Sequence, residues 1–309
     1  MHKLLFIASL ACLSCSAASA HAQTPPPPPV APLPPAPPPA PPAPPAPPAP
    51  SAAPSFHVSA ASPKGTVTID VTGGSLNVLG WAKPEVSVKD TSNSSPRVQF
   101  SVNGDRTNVR ATSGSLEVHV PAASAVEVRS SSGDVQVRDV TGALRVDTIS
   151  GSIELAGAPQ SIAARSASGD VKIEANSAQT TVRTLSGDIH VRGARGTASL
   201  DSVSGSVALN GSAFSRVDIH NTSSNISFDG QFAAQASFEA RSTSGDVRLV
   251  LPSATSGSFE LRSYNGTIHS QLGGTRSGER QLDFKVGTGA STVRVQTFSG
   301  DIAIDVRNK

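Results

Sequence analysis

Apolar and polar side chains alternate in short runs over residues 132–209, and the runs return at one fixed step. Val135, Ile153, Val171, Ile189 and Val207 form one apolar column, and Val137, Leu155, Ile173, Val191 and Leu209 a second. Gln136, Glu154, Lys172, His190 and Ala208 stand between them. Alternation with period two predicts a strand with one face buried. The other half of each unit carries Val146, Ala164, Val182 and Leu200 and, a little further on, Ile149, Ala167, Leu185 and Val203, both expected to line the core. Between these lie a hydroxyl column (Thr148, Ser166, Thr184, Ser202) and a charged one (Asp147, Arg165, Arg183, Asp201). On strands about 4.8 Å apart, Asp147 is expected beside Arg165 and Arg183 beside Asp201, pairs that help set register.

The two halves meet at a Ser-Gly-Asp/Ser phrase whose glycines, Gly133, Gly151, Gly169, Gly187 and Gly205, are evenly spaced. Glycine suits a corner at positive φ, where a Cβ is resisted. Asp134, Asp170 and Asp188, with Ser152 and Ser206 in the gaps, are expected to bond their own backbone and hold the bend. A unit this short cannot bury its own apolar face, so units must stack, and a short fixed period marks a solenoid. The predicted fold is all-β: a single-stranded-type parallel β-solenoid (β-helix) with coils of ~18 residues, spanning residues 55–309.

On either side the pattern loosens. Residues 55–120 hold short alternating runs broken by Gly73-Gly74, Pro84, Ser94-Ser95-Pro96 and Asn103-Gly104-Asp105, with Gly114 about one coil ahead of Gly133. This stretch, with the only tryptophan, Trp81, is expected to cap the open core and its unpaired edge, with Trp81 inside. After Gly205 the corner position passes to Ser224, Gly245, Gly266 and Gly300, in longer and unequal steps, with Asp246 and Asp301 repeating the acid. The added residues are expected in loops. The longest, Gly273 to Arg280, supplies Arg276, Glu279 and Arg280 as candidate binding residues. Phe214, Phe228, Phe232, Phe238, Phe259, Phe284 and Phe298 gather in this half, several on inward columns where they thicken the core. The last run, Asp301 to Val306, reaches almost to Lys309, so no membrane barrel is expected after it.

The start of the chain has another character. Lys3, the apolar run Leu4 to Leu13 and the small residues of Ala18-Ser19-Ala20-His21-Ala22 predict a signal peptide over residues 1–22, cut after Ala20 or Ala22. Both cysteines, Cys12 and Cys15, fall inside it. Lipidation at either is the alternative, although neither has leucine at the third position before it. Residues 23–54 hold most of the chain's prolines, mixed almost only with alanine, and are expected to be a disordered linker of polyproline II character. Lys plus Arg number 25 against 23 Asp plus Glu, with signs mixed along the exposed columns, so no basic stripe for nucleic acid is expected. The mature chain has no apolar run long enough for a transmembrane segment.

The phrase Glu117-Val118-His119-Val120-Pro121, then Val126-Glu127-Val128, then repeated Ser-Gly-Asp-Val units, resembles the bacterial DUF4097 family of proposed adhesins over about residues 56–309. The resemblance implies a β-solenoid that is exported or envelope-associated, and it brings no catalytic motif.

The residues themselves point the same way. Asp134, Asp170, Asp188, Asp246 and Asp301 share one corner. Calcium is the cation such oxygens suit, yet the opposite half-unit lacks a matching Gly-x-Asp, so turn capping is the expected role and no cofactor or metal is expected. A glycosidase needs two carboxylates converging on one bond, while the repeat disperses its acids. The histidines His57, His119, His190, His220 and His269 show no metal-binding spacing. The expectation is a non-enzymatic, adhesin-like scaffold, exported to the periplasm or cell surface, whose partner is a glycan, an envelope polymer or a protein. The alternative is a polysaccharide-active β-helix enzyme with a site in the C-terminal loops near Gly273 to Arg280, where Glu279 is the one acid.

Overall fold

Strands alternate inward and outward because the sequence does, and the chain closes them round one thin core. The computed structural model describes residues 56–92, 98–273 and 276–307; the signal peptide and linker expected for residues 1–54 lie outside them. Every regular element among the described residues is a β-strand, and all 24 strands join one hydrogen-bonded sheet.

Through the regular portion each coil is a strand, a glycine corner, a second strand and a return. Ala125–Ser132 and Val135–Arg138 make one coil, Ala143–Ser150 and Ile153–Gly157 the next, Ser161–Ser168 and Val171–Ala175 a third. Neighbouring coils pair in parallel one repeat apart, so Val146 lies beside Ala164, then Val182, then Leu200. On the opposite face Ile153, Val171, Ile189 and Val207 stack in the same way. All eight are buried.

The corner glycines are required twice over. Gly133, Gly151, Gly169, Gly187 and Gly205 have φ between +107° and +134°, where side chains carry a conformational penalty. In addition, a Cβ on Gly151, Gly169, Gly187 or Gly205 would overlap the carbonyl oxygen of the glycine one coil before. Ser224, which takes the corner place in one coil, is not among the residues of positive φ.

The first-strand columns differ from expectation by one position. Inward residues are Leu144, Val146 and Thr148; Ile149 and Ser150 both point outward, because the chain leaves strict alternation as it enters the corner. The hydroxyl column is therefore the buried one, while Ile149, Leu185 and Val203 are 62%, 60% and 46% exposed. Buried hydroxyls serve the corner from inside: Ser263 Oγ donates to the Gly300 carbonyl at 2.8 Å and Thr297 Oγ1 to that of Gly245 at 3.3 Å. In the charged column Arg183 meets Asp201 at 3.0 Å, as expected, but Asp147 is taken by Arg145 of its own strand at 2.9 Å rather than by Arg165.

From Ile189 onward the strands run unbroken round the second corner, as Ile189–Ser204, Val207–Ser223 and Ile226–Ser244. The residues that lengthen these coils sit as bulges within strands, between Gly211 and Arg216 and between Phe232 and Ser237, rather than in loops. Ala213 and Gln235 take positive φ there. The wider corner is filled by Phe214, Phe228 and Phe238, fully buried, with Phe232 stacked on Phe228 at 5.5 Å. Trp81 is only half-buried. Its ring lies 4.9 Å from that of His119 with the Lys83 ammonium above it, and its N–H donates to the Glu85 carbonyl, so it clasps an edge rather than joining the core.

Coil order in space departs from chain order at both ends. Thr66–Val71 pairs with Arg106–Ala111 on one side and Ala125–Ser132 on the other, so the Gly74 coil lies between those of Gly114 and Gly133. At the far end Ser291–Ser299 sits between residues 237–244 and Gly257–Ser263, so the last coil of the chain is inserted inside the one before it. Antiparallel strands then finish the stack. Val98–Asn103, Glu85–Asp90 and Phe56–Ala60 cover one end, and Gln281–Val286 and Arg276–Glu279 the other.

Two outcomes follow. Gly169→Ala meets both penalties and is expected to lose on the order of 3 kcal/mol in urea unfolding, whereas Gly104→Asn, at φ +58° with open space around it, stays within about 0.5 kcal/mol. In hydrogen exchange, amides of Val293, Val295, Ile302 and Ile304 are expected among the slow set despite lying near the C-terminus, with residues 281–286 exchanging faster. Fraying of residues 302–306 ahead of 281–286 would contradict the inserted coil.

Candidate functional site

The corner acids form a ladder along the stack. Asp134 Oδ1 accepts from the N–H of Ser152 at 2.9 Å, Asp170 from Asp188 at 2.9 Å and Asp188 from Ser206 at 2.7 Å. Asp246 accepts from Asp301, and Asp301 from both the N–H and the hydroxyl of Thr267, at 2.8 and 3.0 Å. Each carboxylate thus bonds the next coil and not, as expected from the turn, its own backbone. The N–H and then the hydroxyl of Thr267 hold the Asp301 carboxyl below its usual value. Among the described residues no three His, Cys, Asp or Glu come together in a way that could hold a metal ion.

Arg276, Glu279 and Arg280 do not form a loop. Arg276–Glu279 is an edge strand, antiparallel to Ile268–Ser270, and Arg280 follows it into the next turn. The Arg280 carbonyl accepts from the N–H of Ser263 at 2.8 Å. Arg280, but not Glu279, borders a groove of about 1160 Å³.

That groove runs across the coils beside the glycine corner. One wall is the outward column Arg183, Asp201, His220, Arg241, Gln296, Arg262 and Gln281, neighbours in register through six strand spacings, roughly 29 Å. The other wall is the displaced column Leu185, Val203, Thr222, Thr243, Phe298 and Tyr264. Phe298 and Tyr264 are 55% and 66% exposed, and their rings stack at 5.0 Å and 7°. The floor is the hydroxyl column, in which Thr184 Oγ1 and Ser242 Oγ have no hydrogen-bond partner among the described residues.

The charge along the groove is uneven. Among the described residues Asp201 is the one acid that lines it, and Arg183 holds it. Arg241 pairs with Glu239. Arg262 lies in register between Gln296 and Gln281, and the acid on the same face of its strand, Glu260, is engaged by Arg294 at 2.9 Å. The residues alone do not reveal the groove. Its apolar wall carries the hydrophobicity of a core column, and Tyr264 and Phe298, far apart in the chain, become neighbours only through the inserted coil.

The fold and corner geometry meet a matching family. The sequence model of Toastrack DUF4097 matches residues 56–197 and again 179–305. The chain belongs to the Toastrack DUF4097 family. Among solved structures, a proposed lipid-binding protein from Parabacteroides distasonis is 13% identical over 83% of this chain and 98% of its own, with a TM-score of 0.50. A proposed adhesin from Bacteroides fragilis (10% identity, 82% and 98% covered) and a proposed cell adhesion protein from Clostridium sporogenes (10%, 82% and 100%) score 0.32 and 0.22. At these identities the likeness speaks to fold alone. No curated protein matches by sequence.

Because the Asp301 pKa is lowered by folding, its ladder bonds contribute stability that is complete above the unfolded value of about 3.9 and lost as pH falls through the folded one. Asp301→Asn keeps the acceptor oxygen and removes the titration. Its urea stability is expected to fall less steeply than that of the wild type as pH is lowered below about 4. Equal slopes would show that Asp301 is not linked to folding.

Proposed function

We propose that this Toastrack protein is an exported, non-enzymatic, adhesin-like scaffold of the bacterial envelope that holds an extended partner in the groove beside its glycine corner. The observation that carries this reading is the groove itself: six strand spacings long, walled by exposed apolar and aromatic side chains, with one carboxylate that is already paired. Contiguous exposed apolar surface rimmed by polar residues is the usual mark of a binding face. Hydrolysis of a glycosidic bond needs two carboxylates converging on it, and the groove offers none beyond Asp201. Glu279, the acid of the enzymatic alternative, lies outside the groove lining.

Export rests on residues 1–22, read as a signal peptide, and presentation at the periplasm or cell surface on residues 23–54, read as a stiff proline-rich spacer before the solenoid. No helix among the described residues is long and apolar enough to cross a membrane. The names of the solved relatives, adhesins and a lipid binder, are consistent with a surface that holds rather than converts its ligand.

The test is a binding array of envelope glycans and polymers against the purified protein, with every bound sample checked for cleaved product. Saturable binding without product is expected, and Leu185→Asp with Val203→Asp is expected to weaken it at least tenfold. Turnover, or binding indifferent to both substitutions, would refute the reading.

A further inference from the structure

Resting on the groove as a binding face, we infer that its ligand is an acidic polysaccharide, and that Arg262 and Arg280 read the acid groups while Tyr264 and Phe298 carry the sugar rings.

The cationic end of the groove is uncommitted. Arg262 and Arg280 line it without an ion pair among the described residues, and the glutamines that flank Arg262 in register offer no charge. Glu279, the chain neighbour of Arg280, lies outside the groove lining, and the other nearby acids are engaged: Glu260 by Arg294 at 2.9 Å, Glu239 by Arg241, and Asp283 by the side-chain amide of Gln281 at 2.8 Å. This differs from the opposite end of the same groove, where Arg183 and Asp201 neutralise each other at 3.0 Å. Guanidinium groups left free beside a concave surface match carboxylates with paired N–H donors, and they attract an anionic chain over a distance set by salt.

The two walls choose among anionic polymers. A pyranose ring has an apolar C–H face and a rim of hydroxyls. The aromatic and aliphatic wall, Phe298 and Tyr264 followed by the methyls of Thr243 and Thr222, suits the first; the wall of Arg262, Gln296, Arg241 and His220 suits the second. Tyr264, two-thirds exposed and stacked on Phe298 from one side, keeps its other surroundings open to a ligand. An acidic polypeptide would satisfy the arginines, but it has no flat apolar face to set against the rings. Both walls continue over successive coils, so the site reads a chain rather than a single sugar.

Three variants and three polymers separate the contributions. Polygalacturonate is the acidic glycan, dextran the neutral one and poly-L-glutamate the acidic polypeptide, each titrated against the full-length mature protein at two salt concentrations. Polygalacturonate is expected to bind saturably and at least tenfold tighter than either control. Arg262→Gln with Arg280→Gln is expected to weaken it at least tenfold and flatten its salt dependence. Tyr264→Ala and Phe298→Ala are each expected to weaken it about fivefold with the salt dependence intact. All four side chains are exposed, and unchanged thermal melting shows that the variants remain folded. Dextran binding equal to polygalacturonate, but lost in Tyr264→Ala, would keep the groove and overturn the choice of an acidic ligand. Poly-L-glutamate binding as tightly as polygalacturonate would overturn the sugar assignment. Polygalacturonate binding that ignores all three variants, or no polygalacturonate binding at all, would overturn the inference; Leu185→Asp with Val203→Asp tested against other polymers then judges the groove separately.

Discussion

The backbone's close approach to itself at one corner governs this molecule. Strands stack at about 4.8 Å, and at the corner the chain turns so sharply that a stacked glycine's missing Cβ is the space used by the carbonyl of the corner residue below, a glycine in every case but Ser224 beneath Gly245. That contact fixes the register of the coils that share it, and register decides which side chains are inside. The aspartate ladder reinforces the same line from outside and the hydroxyl column from inside, so corner amides and carbonyls find partners on both sides of the backbone. A corner satisfied in this way leaves the acids little freedom for other chemistry.

The opposite corner follows a different rule. Backbone approaches closely there too, as where Gly211 lies over the Ala194 carbonyl, but the coils lengthen by bulges, and buried phenylalanines fill the added width. The result is a stack with one constant edge and one variable edge. The groove lies along the constant edge, where repeated geometry places one outward residue per coil in line. The wall's composition then drifts from aliphatic to aromatic and its charge from paired to free, without any change in the backbone that presents it.

The ends use connectivity as well as covering strands. An open parallel edge invites further pairing, and antiparallel strands close it at both ends. Inserting the chain's last coil between two earlier ones also ties the terminal coil to an inner one, so it cannot peel away alone. Ser291–Ser299 pairs with residues 237–244 across a long intervening stretch of chain, and contacts this distant form late and slow folding.

The all-β repeat, its period, the corner glycines and most of the core were legible in residues 132–209, because a strict period leaves one way to stack such units and alternation marks the inward face. Arg183 beside Asp201 and the aspartates at the corner could be read for the same reason. Whether the column of Ile149, Leu185 and Val203 faced in or out could not, since the chain breaks alternation just before the corner and hydrophobicity alone argued for the core. The exchange of coil order also left no local trace: each of those coils satisfies its own pattern in either position, and only packing of the finished ends selects between them. The sequence by itself determined a solenoid and the chemistry of its repeating corner. Tertiary structure alone decided that Tyr264 meets Phe298, that Arg262 and Arg280 lie beside them, and hence that the surface has this groove, because the inserted coil brings Phe298 to Tyr264 and the antiparallel covering strand brings Arg280 to Ser263.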